Sequence, residues 1–130
     1  MRAKRIDHIA IAVPDLDAAV ETYQNNFGLL KVKEGEVTAL GIRHAFLQIG
    51  DAQIELITPL TAQGPVADFL GRQEGGMYLL SLEVDDLSAA IAELQNNGIR
   101  VTVAQGGEGQ RIAFVSPRAT HGVLLQLLER

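Results

Sequence analysis

The chain contains no cysteine, which removes disulfides, iron–sulfur clusters and thiolate zinc sites. His, Asp and Glu are left as the charged groups able to ligate a metal. It has no run of about 18 apolar residues, so no membrane-spanning helix is written into it. The opening Met-Arg-Ala-Lys-Arg leads into an apolar run interrupted by Asp7 and His8, too short and too polar for a secretory signal, and the expected compartment is the cytoplasm. There is no Lys/Arg cluster, and the formal charge is -5, which argues against nucleic acid or an anionic membrane as the main partner. A small molecule or another protein remains. The glycine-rich stretch Gln105-Gly106-Gly107-Glu108-Gly109 has neither Walker nor dinucleotide-binding spacing and opens no helix, so it reads as a hairpin loop rather than a phosphate cradle.

What is present is a pattern used twice. With 47% hydrophobic and 21% charged residues in 130 positions, the composition suits one compact domain with a real core. Ile6 to Leu16 is an apolar run that ends at acidic residues and passes at once into a helix-period pattern, Leu16, Ala19, Val20, Tyr23, Phe27. The same outline returns at Tyr78 to Leu87, followed by Ala90, Ile91 and Leu94. Each copy predicts a strand and then an amphipathic helix. In the first, alternation puts Ile9, Ile11 and Val13 on one face and His8, Ala10 and Ala12 on the other. The helix is expected to cover the first of these faces, and Leu80, Leu82 and Val84 are expected to pack the same way in the second copy. Asp15 is placed to cap the first helix and Gly28 to stop it, with Tyr23 and Phe27 read as core.

Strands are predicted over 30–34, 42–49 and 53–57, punctuated by Gly41 and Gly50-Asp51. The first copy is therefore a βαβββ unit. Residues 61–76 read as a connection, with Pro65 suited to the first position of a short helix. The second copy predicts a strand over 77–84, a helix over 86–97 and strands over 99–103, 111–116 and 123–128. One domain is expected, with module one at about 5–60 and module two at about 77–129.

Several runs together resemble the vicinal oxygen chelate (glyoxalase/bleomycin resistance/dioxygenase) superfamily. They are Asp-His-Ile-Ala-Ile-Ala-Val-Pro-Asp-Leu (7–16), Ile-Glu-Leu-Ile-Thr-Pro-Leu (54–60), Leu-Glu-Val-Asp-Asp-Leu (82–87), Arg-Ile-Ala-Phe-Val-Ser-Pro (111–117) and Thr-His-Gly-Val-Leu-Leu-Gln-Leu (120–127). Within it the chain is similar to the methylmalonyl-CoA epimerases. The resemblance spans the whole chain. It implies an α+β fold of two βαβββ modules, a curved mixed sheet around a cavity, and a homodimer. It also implies a divalent metal held by one ligand from the first and last strand of each module.

Carried over residue by residue, the resemblance makes His8 the first ligand and Glu55 the second. Leu79 stands where the epimerases have the later His of a His-His-Ile-Ala run, and Gln126 where they have a Glu. Leucine ligates nothing, so half of the ligand set is altered and turnover of methylmalonyl-CoA is expected to be weak. His44 aligns with a carboxylate that serves as a base in the epimerases, and strand parity puts it on the same face as Phe46. His8, His44, Glu55 and Gln126 are then the candidate ligands for Co, Mn, Ni, Zn or Fe, or the cavity carries no metal. His44 and Glu55 are the candidate acid/base groups for α-proton transfer on a small acyl or acyl-CoA substrate. The plainer reading of His44 is a partly buried strand histidine. The runner-up for the whole chain is a metal-free module of the same superfamily that sequesters a small ligand. Ser81 reads as a small cavity-lining residue and His121 as a turn residue. Arg111, Arg118 and Lys31 read as solvated cations that could meet a CoA phosphate.

Overall fold

The duplicated pattern folds as two βαβββ modules of an α+β protein, described here from a computed structural model of residues 1–130. The chain divides into two compact units: His8–Tyr78, and Met1–Asp7 with Leu79–Arg130.

The first unit holds β1 (Ala3–Ala12) from His8 onward, α1 (Leu16–Phe27), β2 (Leu30–Val37), β3 (Ile42–Ile49), β4 (Ala52–Pro59) and α2 (Pro65–Arg72). Its strands lie in the order β2-β3-β4-β1. The contiguous strands pair antiparallel, and β1 pairs parallel with β4, as a crossover through α1 requires. Asp15 caps α1, its Oδ1 accepting from the Ala18 N–H at 3.1 Å. Gly28 ends the helix in the left-handed region at φ 69°, where any residue with a Cβ is strained. Leu16 and Val20 of α1 pack on Ala45, Leu47 and Leu56, joined by Ile11, Val13, Tyr23 and Ile54. Pro65 opens α2 as its spacing predicts.

The second unit repeats the scheme with β5 (Gly76–Val84), α3 (Leu87–Asn96), β6 (Val101–Gln105), β7 (Arg111–Val115) and β8 (Leu125–Glu129). The order is β5-β8-β7-β6, with β5 and β8 parallel. Asp86 caps α3 through the Ala89 N–H at 2.9 Å. Leu87, Ala90 and Ile91 pack on Val84, Ala113, Val115 and Leu127, with Leu82 beside them.

Three expectations need correction. Phe27 is 67% exposed: it is the last residue of α1, beyond the sheet that shelters Tyr23, so helical spacing aims it correctly but nothing is there to cover it. Ile9 and Leu80 are half-buried and stand outside the packed clusters. Both lie farther from the strand–helix junction than Ile11, Val13, Leu82 and Val84, which are packed. The second strand runs three residues longer than its apolar pattern suggests, through Gly35, Glu36 and Val37, because β3 supplies a ladder partner for each of them.

Candidate functional site

Alternation along β3 assigns Ala45 and Leu47 to the core under α1, and His44 and Phe46 to the opposite face. On β4 the same rule sends Leu56 to the core and Glu55 to the face of His44. The register completes the arrangement. Glu55 sits directly between Ala10 of β1 and Phe46 of β3, while His44 and His8 lie opposite Ile57 and Gln53, one step diagonal in each direction. Diagonal neighbours are within reach of long side chains, and the small Ala10 leaves Glu55 room to reach both.

The result is one carboxylate shared by two imidazoles. His44 Nδ1 lies 2.7 Å from Glu55 Oε2 and His8 Nε2 lies 3.3 Å from Oε1. All three residues are buried. Phe46 closes the group, its ring 4.9 Å from His44 and 5.5 Å from His8, edge to face in both cases. Burial alone would push the Glu55 carboxyl upward, but hydrogen bonds from His44 and His8, and the attraction of their charge, outweigh it and hold the group below its ordinary value. Glu55 is therefore an ionised acceptor. With Nδ1–H of His44 donating to it, a proton gained or given up by the ring is handled at Nε2. This is the arrangement by which a carboxylate orients a histidine base.

The strands thus bring together three of the four candidate ligands, and His44 is not an isolated strand histidine. Two imidazoles and a carboxylate have the chemistry of a transition-metal site. Each ring nitrogen faces a different oxygen of Glu55, and no three His, Asp or Glu groups of the chain are arranged to hold a metal ion. The fourth, Gln126, belongs to the second unit. There it pairs across the ladder with Ser81, and the Ser81 hydroxyl donates to its Oε1 at 2.8 Å. Ser81 is completely buried, and Leu79 is buried two residues before it on the same strand face.

The other candidates stay outside these groups. His121 has φ 59° in an exposed turn. Lys31 pairs with Glu34 at 3.3 Å, Arg111 donates to Ser88 Oγ at 2.7 Å, and Arg118 is exposed. Residues 107–109 form a 3-10 turn rather than a cradle.

Sequence reasoning missed the ionic cluster of the second unit, where buried Asp7 and Glu83 meet Arg130, Arg5 and Lys4. Arg5 reaches Glu83 at 3.1 Å and Asp7 at 3.6 Å, and Lys4 reaches Glu83 at 3.3 Å. The available signal was polar alternation in Arg5-Ile6-Asp7 and Leu82-Glu83-Val84. It also missed the Ser81–Gln126 pair.

Comparison with known proteins agrees with the fold. The family model of the glyoxalase/bleomycin resistance protein/dioxygenase superfamily matches residues 7–114. The mitochondrial methylmalonyl-CoA epimerase of Homo sapiens is 35% identical over 95% of this chain and 72% of its own length. The crystal structure of methylmalonyl-CoA epimerase from Mycobacterium tuberculosis superposes with a TM-score of 0.92 at 36% identity, covering 98% of this chain and 88% of that one. A variant of the Streptomyces coelicolor epimerase in complex with 2-nitronate-propionyl-CoA superposes with a TM-score of 0.94 at 31% identity, covering 98% and 95%. These relatives give no support to a sequestering module. The chain belongs to the glyoxalase/bleomycin resistance protein/dioxygenase superfamily, and the relatives similar to it over nearly its whole length include methylmalonyl-CoA epimerases.

Proposed function

We propose that the chain is an isomerase of the methylmalonyl-CoA epimerase type, moving the α-proton of a small acyl or acyl-CoA thioester, with His44 as the proton-transferring base. The observation that carries this reading is the buried 2.7 Å contact between His44 Nδ1 and Glu55 Oε2. It leaves Nε2 as a base whose protonated form is stabilised by the same carboxylate.

In the step envisaged, the α-carbon proton passes to His44 Nε2 while its bonding pair moves toward the thioester carbonyl. The imidazolium then stands beside an ionised Glu55, so the charge formed is matched where it forms. Return of the proton to the other face, from a second acid or from water, completes the inversion. Glu55 is held below its ordinary value by two imidazole donors, so its part is to orient and balance His44 rather than to carry the proton. His8 anchors the second carboxylate oxygen. A homodimer belongs to the same proposal on the strength of the resemblance, and sedimentation of the purified chain tests it.

The test is α-deuteration of methylmalonyl-CoA in D₂O, followed by proton NMR. The chain is expected to exchange the α-proton, and His44→Gln, which keeps the ring's approximate volume without its basicity, should slow exchange about 10²-fold or more. Exchange that survives unchanged in His44→Gln and His44→Ala would remove His44 from the chemistry. No exchange by the unmodified chain would end the reading.

A further inference from the structure

Gly35 stands inside β2, a strand that pairs with β3 residue by residue from Lys33 to Val37. A glycine within a strand costs stability, and it marks a bulge, a bend, a left-handed turn or the close approach of another group. None of the first three applies here. The register shift of β2 falls earlier, between Lys31 and Lys33, and the ladder is unbroken around Gly35, with Glu34 opposite Ala45 and Glu36 opposite Arg43. Its φ lies outside the left-handed region. A Cβ added to it would meet nothing within 4 Å, so no neighbour in the chain needs the space. The fold has no use for the missing side chain.

Gly35 lies directly opposite His44, and opposed residues share a sheet face. Every other position around His44 on that face carries a side chain: Ile42 and Phe46 along β3, Glu55 and Ile57 on β4, Lys33 and Val37 on β2. All of them lie in the first unit. His44 directs Nδ1 at Glu55 of β4, and in an imidazole the Cδ2–Nε2 edge is on the other side of the ring from Nδ1. Nε2 is therefore turned toward β2 and the gap at Gly35. We propose that Gly35 is a specificity-determining position: the space it leaves receives the alkyl group on the α-carbon of the substrate while the α-proton faces His44 Nε2. The buried Val37 and the ring of Phe46 wall that space with apolar surface, and the exposed Lys33 stands at its rim. Such walls suit a methyl or ethyl group. This rests on the proton-transfer reading given above and adds what sets the size of substrate accepted.

The experiment follows α-deuteration in D₂O, above the rate without protein, for malonyl-CoA, methylmalonyl-CoA and ethylmalonyl-CoA, which differ only in the alkyl group on the α-carbon. It compares the unmodified chain with Gly35→Ala and Gly35→Val, and urea denaturation of the same three proteins runs alongside. One methylene in an apolar pocket is worth about tenfold or more in rate. Gly35→Ala should therefore lower exchange of ethylmalonyl-CoA relative to malonyl-CoA about tenfold, and Gly35→Val should extend the loss to methylmalonyl-CoA. Malonyl-CoA has no alkyl group and should exchange at the unmodified rate in both. Both variants should unfold at the same or a higher urea concentration than the unmodified chain, since each replaces a strand glycine with a residue that loses less freedom on folding. A lower urea midpoint would mean that the glycine serves the fold, and equal slowing of all three thioesters would mean that the variants disturb His44. Either result overturns the inference while leaving proton transfer in place, as does unchanged exchange of all three by Gly35→Val. If the unmodified chain exchanges none of the three, the proton-transfer reading falls and this inference falls with it.

Discussion

Asp7 and Arg130, 123 positions apart, form a two-point ion pair, with Arg130 Nε donating to Asp7 Oδ1 at 2.8 Å and Nη2 to Oδ2 at 3.0 Å. The carboxylate is almost wholly buried while half of the arginine side chain faces solvent. Removing the arginine therefore takes the two-point partner from a desolvated charge, with Arg5 at 3.6 Å placed to relieve part of the loss. Arg130→Ala is expected to cost about 1–3 kcal/mol, and Arg130→Lys to recover part of that, since a lysine cannot form the fork. Urea denaturation of the two variants measures both.

Glu55 ties stability to pH in a direction its partners decide. Its folded value lies below the ordinary 4.5, so the stabilisation it contributes is fully present above about pH 4.5 and is lost as pH falls through the folded value. Unfolding free energies measured between pH 6 and pH 3 should fall with acid in the unmodified chain, and the fall should be shallower in Glu55→Gln. An equal slope in both would assign the acid sensitivity to other carboxylates.

The two helix caps offer a matched pair of tests. Asp15→Ala and Asp86→Ala each remove a side-chain acceptor for the first turn, and each should cost about 1 kcal/mol. Replacement by Ser should restore most of it. Thermal melting of the four variants is sufficient.

The exposed end of α1 separates apparent from real core. Phe27→Ser should change stability by less than about 0.5 kcal/mol, whereas Leu47→Ala, at a position with no exposure, should cost about 2–5 kcal/mol. A large loss at Phe27 would mean that its ring contact with Tyr23, at a centroid distance of 5.8 Å, matters more than its exposure suggests.

These residues also show what could be read from the chain alone. The repeated strand–helix junctions were legible because capping and periodicity are local: Asp15, Gly28 and Asp86 act on neighbours within three or four positions. The common face of His44 and Glu55 was legible because parity is a property of each strand by itself. Parity does not say which atoms meet, and the sharing of Glu55 between two imidazoles depends on the register of three strands. Ser81 with Gln126, 45 positions apart, and Asp7 with Arg130 depend on pairings that no local pattern encodes. Phe27 was misread for a related reason. Helical spacing gives the direction of a side chain but not the extent of the sheet beneath it.

Strand β3 interleaves two kinds of information, the proposed base His44 with its aromatic neighbour Phe46, and the core at Ala45 and Leu47. Deleting or inserting a single residue within it would exchange them, placing an imidazole beneath α1 and a leucine where the proton is to be handled. Point substitutions at this strand can be graded and tolerated one at a time, but changes of length cannot. Over evolutionary time its length should therefore stay fixed while its individual residues drift, and insertions should accumulate instead in exposed turns such as 107–109.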